Sequence, residues 1–218
     1  MGDPCVSAPS RSMPEPGRAL AAFRLGAIVL AAGGSSRMGS AKQLAMFDGK
    51  TLIARSVDAA LGSGADLVVV VLGSDAERIR TEIADHPVRV VINPAWASGM
   101  ASSIREGLAA LLEDQPGLDA VLVALCDQPA LSPGIIGQLA ELHRATGRIA
   151  SARYGGRNGA PAVFGRVHFG ELARLAGDQG ARLLLNGGPD RVASIDLPAL
   201  AADIDTPSDL RDWVARNS

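Results

Sequence analysis

The chain has 218 residues and a mass of 22.3 kDa, the length of one domain or of one with a small appendage. Lys plus Arg number 21 against 23 Asp plus Glu, a formal net charge of -2, which argues against a protein held to nucleic acid by bulk positive charge. Hydrophobic residues make up 47%, too many for a disordered chain, and two Trp, one Tyr and four Phe offer few platforms for stacking single-stranded bases.

A small anionic ligand stays open, because it needs only local charge. Cys5 and Cys126 are too few for a disulfide framework and lack CxxC spacing. No apolar run approaches the ~18 residues of a membrane helix. The opening MGDPCVSAPSRSMPEPGR has no apolar stretch of the secretory kind. Residues 1–24 read as a flexible tail and 25–218 as a single domain. The expectation is a soluble cytoplasmic protein with neither a membrane nor a nucleic-acid partner.

In chain order, GAIVLAA (26–32), DLVVVVL (66–72), VRVVI (88–92) and DAVLVAL (119–125) are short continuous apolar runs. Such runs suit strands buried on both faces. Helical spacing occupies 51–61, 75–84 and 102–112. Ser132-Pro133 opens a helix running to 145, with Ser as N-cap and Pro at the first position; Thr206-Pro207 opens the last one in the same way. Residues 149–195 are less regular, with strand candidates at 149–153, 160–164 and 192–195 and two short helices. Strands alternating with helices predict an α/β fold: a doubly wound, mostly parallel sheet with helices on both faces. Ligands of such sheets bind at the carboxyl ends of the strands, so the residues following each strand are the ones to weigh.

After the first run comes LAAGGSSRMGSAKQL, with Gly33, Gly34, Gly39, Arg37 and Lys42. Glycines, free N–H groups and two cations can cradle a polyphosphate; a turn with two solvated cations fits the same residues. Neither GxxxxGK[ST] nor GxGxxG is present. Lys42 is one of two lysines against nineteen arginines, so a compact ammonium stands out at this place.

ALCDQP puts Asp127 just past a buried strand, where a carboxylate is costly without a cation. AADIDTPSDL puts Asp203 and Asp205 ahead of the last helix. Asp127 and Asp205, on loops at one sheet edge, could share a Mg²⁺ that also takes phosphate oxygens. Equally, Asp127 could start a turn and Asp205 join the helix cap; Asp203 is read as part of that cap. In NPAWASGMASSIREGL, Gly99 precedes small residues and Ser102 or Ser103 is expected to cap a helix, whose N-terminus could face a polar ligand or simply end in an ordinary cap. Trp96 is either a lid or a packing residue. Cys126 is read as a core thiol, and His86, His143 and His168 are scattered. GxSxG is missing, so nothing supports a serine hydrolase.

LAAGGSSRMGSAKQL resembles the LAAGxSxRMGxxKxL signature of nucleotidyltransferases with a doubly wound sheet. With NPAWASGMASSIREGL, ALCDQP, GDQGARLLL and DIDTPSDL, the chain resembles the molybdenum cofactor cytidylyltransferases and, less closely, the guanylyltransferases of the same cofactor. The likeness spans about residues 26–213. It implies a Mg²⁺-dependent transfer of CMP from CTP, with GTP as the alternative donor, to the phosphate of a molybdopterin-type acceptor. Leu30, Ala31, Ala32, Gly33 and Gly34, with Gly99 and Ser103, would hold the nucleotide. Arg37 and Lys42 would neutralise the triphosphate, and Asp127 and Asp205 would hold the metal. Relatives often read GxRGHPVLF where this chain reads GGRNGAPAVF, so Ala160 replaces a His. CDQP and DID point to the cytidylyl branch. A sugar or polyol phosphate as acceptor, or delivery of the cofactor to an apo molybdenum hydroxylase, are the alternatives.

Overall fold

The computed structural model describes residues 23–35, 38–178 and 180–217. Residues 1–22 of the expected tail, and Arg37, lie outside the described residues. Phe23 packs against the core, and the backbone N–H of Arg24 donates to Asp119.

Chain order begins with β1 (Leu25–Ala31), a hairpin of β2 (Met46–Phe47) and β3 (Lys50–Thr51), α1 (Leu52–Gly62), β4 (Leu67–Leu72), α2 (Ala76–Glu82) and β5 (Arg89–Ile92). It continues through α3 (Met100–Asp114), β6 (Ala120–Leu125), α4 (Pro133–Thr146), β7 (Ile149–Tyr154) and β8 (Arg157–Gly165). Two short helices, α5 (Phe169–Leu172) and α6 (Arg182–Leu185), precede β9 (Val192–Asp196) and α7 (Pro207–Asn217).

Among the described residues, seven strands form one sheet in the order β5-β4-β1-β6-β8-β7-β9. The pairs β5/β4, β4/β1, β1/β6 and β7/β9 are parallel; β8 runs antiparallel to both β6 and β7. The mostly parallel expectation holds, with β8 as the reversed strand.

The apolar runs are buried on both sides because successive side chains feed opposite layers. Leu25, Ala27 and Val29 pack with Ile53 and Val57 of α1, Ile79 of α2 and Ile136 and Leu139 of α4. Ile28, Leu30, Val69 and Val71 pack with Ile104, Leu108 and Leu111 of α3 and with Leu172 and Leu185 of the short helices. At Gly107 the helix lies so close that an added Cβ would stand 2.6 Å from Ile28 Cγ2. Helices therefore cover both faces, and among the described residues none is long and apolar enough to cross a membrane.

One expectation needs correction, and one element is added. The third helix begins at Met100, with Gly99 at the N-cap and no side-chain cap, so neither Ser102 nor Ser103 caps it. The Gly177 carbonyl accepts from Ala101 N at 3.2 Å instead, a long-range partner that local spacing does not reveal. The β2–β3 hairpin was not expected, although Asp48-Gly49, both at positive φ, is a favoured pair for a two-residue hairpin turn.

From β1 the chain winds outward through β4 and β5, then returns over α3 to β6 on the other side of β1. The strand order reverses at β1, so the loops after β1 and β6 flank the crevice where ligands of such sheets bind.

Candidate active site

The loop after β1 is shaped from below by Gln43, which is 1% exposed. Its Nε2 donates to the carbonyls of Ala31 at 3.0 Å and Gly33 at 2.9 Å. Ser35 Oγ donates to Gln43 Oε1 and accepts from the backbone N–H of Lys42. With those carbonyls engaged, the glycine turn and the short 3-10 turn Lys42–Leu44 form one unit.

Lys42 Nζ lies 2.6 Å from Asp127 Oδ2 and 2.7 Å from Asp205 Oδ1. Burial works against its charge, but Asp127 and then Asp205 outweigh it and hold the ammonium above the usual lysine range. Lys42 is therefore a permanent cation and has no proton to trade near neutrality. Asp127 Oδ1 is buried and has no hydrogen-bond partner among the described residues.

Asp205 is not the helix cap. Thr206 Oγ1 accepts from Asp209 N at 3.2 Å, and Asp209 Oδ2 accepts from Thr206 N at 2.7 Å and from Asp205 N at 3.1 Å. This reciprocal cap satisfies the end of α7 and leaves the Asp205 carboxylate directed at Lys42. Asp203 does not cap either. It lines a second cavity with an edge open to solvent, and burial together with Asp127 and Asp205 pushes its carboxyl up to about 6.

Two adjoining cavities occupy this end of the sheet. The first, of about 310 Å³, brings together Leu30, Ala31, Ala32, Gly33, Lys42, Ser103 and Asp127, with Trp96 at its wall. Gly34 and Gly99 do not line it. Gly34 lies against Trp96, 3.0 Å from ring to an added Cβ, and Gly99, at φ 112°, lies against Gly177 and Asp178. Trp96 also packs on Gly73, so it is a packing residue and a wall of the cavity at once. Asn93 Nδ2 donates to Ser102 Oγ at 2.8 Å and Ser103 Oγ at 3.0 Å, which orients the first turn of α3. Arg37 is outside the described residues and receives no position.

The second cavity, of about 230 Å³, shares Met100, Leu125 and Asp178 with the first. Gln128, buried, ties the loop after β6 to it: Nε2 reaches Tyr154 Oη at 3.0 Å, the Ala160 carbonyl at 3.1 Å and the Leu200 carbonyl at 3.2 Å. Burial pushes the Tyr154 phenol up. Ala160 lines this second cavity. Sequence reasoning missed Gln43, Gln128, Tyr154 and Asp178; each works through backbone carbonyls or distant loops, and no local spacing marks it.

Cys126 is buried, which pushes its thiol well up, as a core residue requires. His143 is buried with Nδ1 against the Arg148 carbonyl, and His86 and His168 each meet a carboxylate away from the crevice.

A divalent metal fits Asp127 and Asp205. Both are hard oxygen donors, and the unpartnered Asp127 Oδ1 is a lone-pair donor with unmet capacity. Among the described residues no group of three or more His, Cys, Asp or Glu could hold a metal ion. Two carboxylates, with the remaining positions taken by phosphate oxygens and water, match magnesium's habit.

The profile of the MobA-like NTP transferase domain matches residues 27–194. Nicotine blue oxidoreductase of Paenarthrobacter nicotinovorans is 36% identical over 190 residues, which cover 82% of this chain and 91% of that protein. Rv0371c from Mycobacterium tuberculosis superposes with a TM-score of 0.77 at 33% identity, covering 88% of this chain and 98% of the other. The same protein has been solved in complex with manganese, with a TM-score of 0.72, 31% identity and coverage of 88% and 99%. A nucleotidyl transferase from Methanothermobacter, Mth528, superposes with a TM-score of 0.74 at 28% identity, covering 89% and 99%.

Proposed function

The chain belongs to the MobA-like NTP transferase family and is a nucleotidyltransferase, and from that premise we propose that it transfers CMP from CTP to the phosphate of a molybdenum–pterin cofactor, with Mg²⁺ at Asp127 and Asp205. The observation that carries this reading is Lys42 held between Asp127 and Asp205 at the rim of the cavity formed by the glycine loop and Ser103. An ammonium bridging two carboxylates marks a place built for positive charge, and a triphosphate with its metal brings charges of both signs to such a place.

The acceptor, a phosphate monoester with a second pKa of about 6, is mostly a dianion at neutral pH. Its oxygen forms the new bond to the α-phosphorus of CTP while the α–β bridge breaks and pyrophosphate departs. No proton has to be removed, which agrees with a site whose cation, Lys42, cannot act as a base. What the protein must supply is position and charge. The backbone at residues 30–33 and Ser103 hold the nucleotide; Lys42, with Arg37, balances the charge that builds on the leaving group. Mg²⁺, when bound at the two aspartates, supplies Lewis-acid neutralisation of phosphate oxygens. The manganese complex of Rv0371c supports a divalent ion in this family.

The test is incubation of the protein and Mg²⁺ with CTP, GTP, ATP or UTP and molybdenum cofactor. Pyrophosphate is measured and the product is weighed by mass spectrometry. A cytidine dinucleotide product is expected; product formed only from another nucleotide, or only with sugar or polyol phosphates, moves the donor or acceptor assignment. Capture of an apo molybdenum hydroxylase by the loaded protein tests the delivery role.

The name of the Paenarthrobacter relative, an oxidoreductase, favours a second reading, in which this chain is a redox enzyme and, in its simplest form, a nicotinamide-dinucleotide one. The absence of GxGxxG weighs against it. Oxidation of NADH or NADPH by the same preparation, with no pyrophosphate release from any triphosphate, would establish it instead.

A further inference from the structure

Among the described residues β5 pairs with β4 and with no other strand, so it is an edge of the sheet. The register settles which of its backbone groups point away from the sheet. Asn93 donates its N–H to the Leu72 carbonyl at 2.8 Å, so Arg89, Val91 and Asn93 turn their peptide groups toward β4. Val90 and Ile92 turn theirs outward. The side chains alternate between the two faces. Arg89 and Val91 lie on the α3 face, where Arg89 is held by Glu113 at 2.6 Å and Asp114 at 2.5 Å, and Val91 packs with the layer of α3. Val88, Val90 and Ile92 lie on the other face, which the short α2 covers only in part. They line a groove of about 400 Å³ with Ile83, Ala84 and Arg80, and Ile92 is 46% exposed.

Natural edge strands are commonly guarded by a lysine, a proline or a bulge. Residues 89–92 carry none of these, and their one charge, Arg89, is already balanced within the chain. An incoming strand that fits must offer backbone groups two residues apart, apolar side chains on the α2 face and no cation opposite Arg89. A second copy of β5, run antiparallel, offers all three. With Val91 on the twofold axis, Val90 and Ile92 of each copy exchange backbone hydrogen bonds with Ile92 and Val90 of the other. On the α2 face Val90 then meets Ile92 on both sides of the axis, and each Ile92 enters the groove of the opposite copy. Arg89 falls opposite Asn93, so no like charges face each other.

We propose that the protein pairs with itself through β5, joining two seven-stranded sheets into one continuous sheet about a twofold axis. Antiparallel pairing points the two candidate active sites in opposite directions, and each protomer keeps its own. The pairing is a property of the fold and does not depend on the nucleotidyl-transfer reading. The interface is small, and a Kd of about 10 μM is expected of it.

Sedimentation equilibrium of the full chain from ~1 to ~500 μM brackets that value and should show a monomer–dimer equilibrium. Ile92→Lys sets an ammonium in the apolar strip of each copy and should raise Kd at least about tenfold. Val167→Lys, at a residue 81% exposed that follows β8 on the far side of β6, should leave it within about twofold. Circular dichroism of both variants should match wild type. Cross-linking reads the register. In a Cys5→Ser background, Val91→Cys brings two thiols together on the axis, with Cα atoms about 4.5 Å apart, within disulfide reach. Mild oxidation should link it to its copy several-fold more completely than Ile92→Cys, whose copies stand two residues out of register. A chain that stays monomeric throughout overturns the proposal, even where a foreign strand adds to β5. So does a dimer that responds alike to the two lysine variants, or cross-linking at 92 as complete as at 91.

Discussion

Ile204 donates its backbone N–H to the carbonyl oxygen of Asp127 at 3.0 Å. The main chain itself therefore stitches the loop after β6 to the segment ahead of α7. Asp127 and Asp205 are brought together before any attraction between side chains operates, and two carboxylates so placed repel. Lys42 resolves that repulsion. Replacing it by Ala leaves both acids facing one another with little solvent, because the Asp127 side chain is 16% and the Asp205 side chain 31% exposed. Lys42→Ala is expected to lose about 3 kcal/mol of stability in metal-free buffer. Adding Mg²⁺ should raise its melting temperature more than that of wild type, since the ion no longer competes with an ammonium. Denaturation with and without Mg²⁺ checks this; an unchanged metal-free stability would remove the electrostatic argument.

Turnover is more sensitive than stability. Lys42→Ala and Asp127→Ala are each expected to lower the rate of CTP consumption at least ~100-fold, the loss that follows removal of one preorganised charge contact. The Asp127→Asn variant, which keeps the shape, should be nearly as impaired if charge is what the site needs. Near wild-type rates in Lys42→Ala and Asp127→Ala would release both residues from the assignment.

Gln43 is the support under the glycine loop, and its removal orphans two carbonyls. Gln43→Ala is expected to cost about 1–3 kcal/mol and to raise KM for the nucleotide while changing kcat less. Gln43→Glu should fare no better, because an ionised carboxylate cannot donate to the carbonyls of Ala31 and Gly33. Chemical denaturation and steady-state kinetics of the two variants decide it; a wild-type KM would show that the loop holds its form without Gln43.

Tyr154 is the chain's one tyrosine, so absorbance of the phenolate near ~295 nm reads this residue alone. Burial is the main cause of its raised pKa; Asp203 and Asp127 add to it, and the hydrogen bond from Gln128 and the charge of Arg157 offset part. The midpoint of its ionisation is expected above the ordinary tyrosine value. The folded state then holds the phenolic proton when the unfolded state has released it. This contribution to stability is full below about pH 10, the unfolded value, and is lost as pH rises through the folded pKa. Gln128→Ala, by removing a bond that favours the charged form, should move the titration higher still. A midpoint at or below the ordinary value would contradict the enclosure described for this side chain.

Gly99→Ala tests the junction of the two cavities. The residue sits at φ 112°, and a Cβ there would stand 2.3 Å from Asp178 Oδ1 and 2.6 Å from Gly177. Backbone strain of about 1–3 kcal/mol adds to the clash, and the N-terminus of α3 must move. Loss of soluble protein, or a fold with weakened affinity for CTP, is expected; a stable variant with normal CTP binding would show that the 177–178 loop simply steps aside. Gly107→Ala, buried against Ile28 on the sheet, is the comparison: about 1–3 kcal/mol lost by overpacking, with CTP affinity retained in the folded fraction.

The central strands are legible because each is an apolar run whose two faces both meet helices, and α4 and α7 because Ser132-Pro133 and Thr206-Pro207 are local cap chemistry. The reversed direction of β8 is not legible, since an apolar run carries no sign of polarity relative to its neighbours. Lys42 and Asp127 could be picked out by residue type and by their place after strands, and Asp205 by its place ahead of the last helix. Gln43 and Gln128 could not, as each is defined by carbonyls that only the fold brings near. The start of α3 was misplaced for the same reason: the N–H of Ala101 in its first turn is met by Gly177, far along the chain.

The bond between Lys42 and Asp205 joins positions 163 apart. A ribosome must release nearly all of the sheet, both flanking layers and the segment leading into the last helix before this electrostatic lock can shut. The nascent glycine loop therefore emerges long before its second acidic partner exists. The ion pair is therefore among the last contacts of the layered body that synthesis permits.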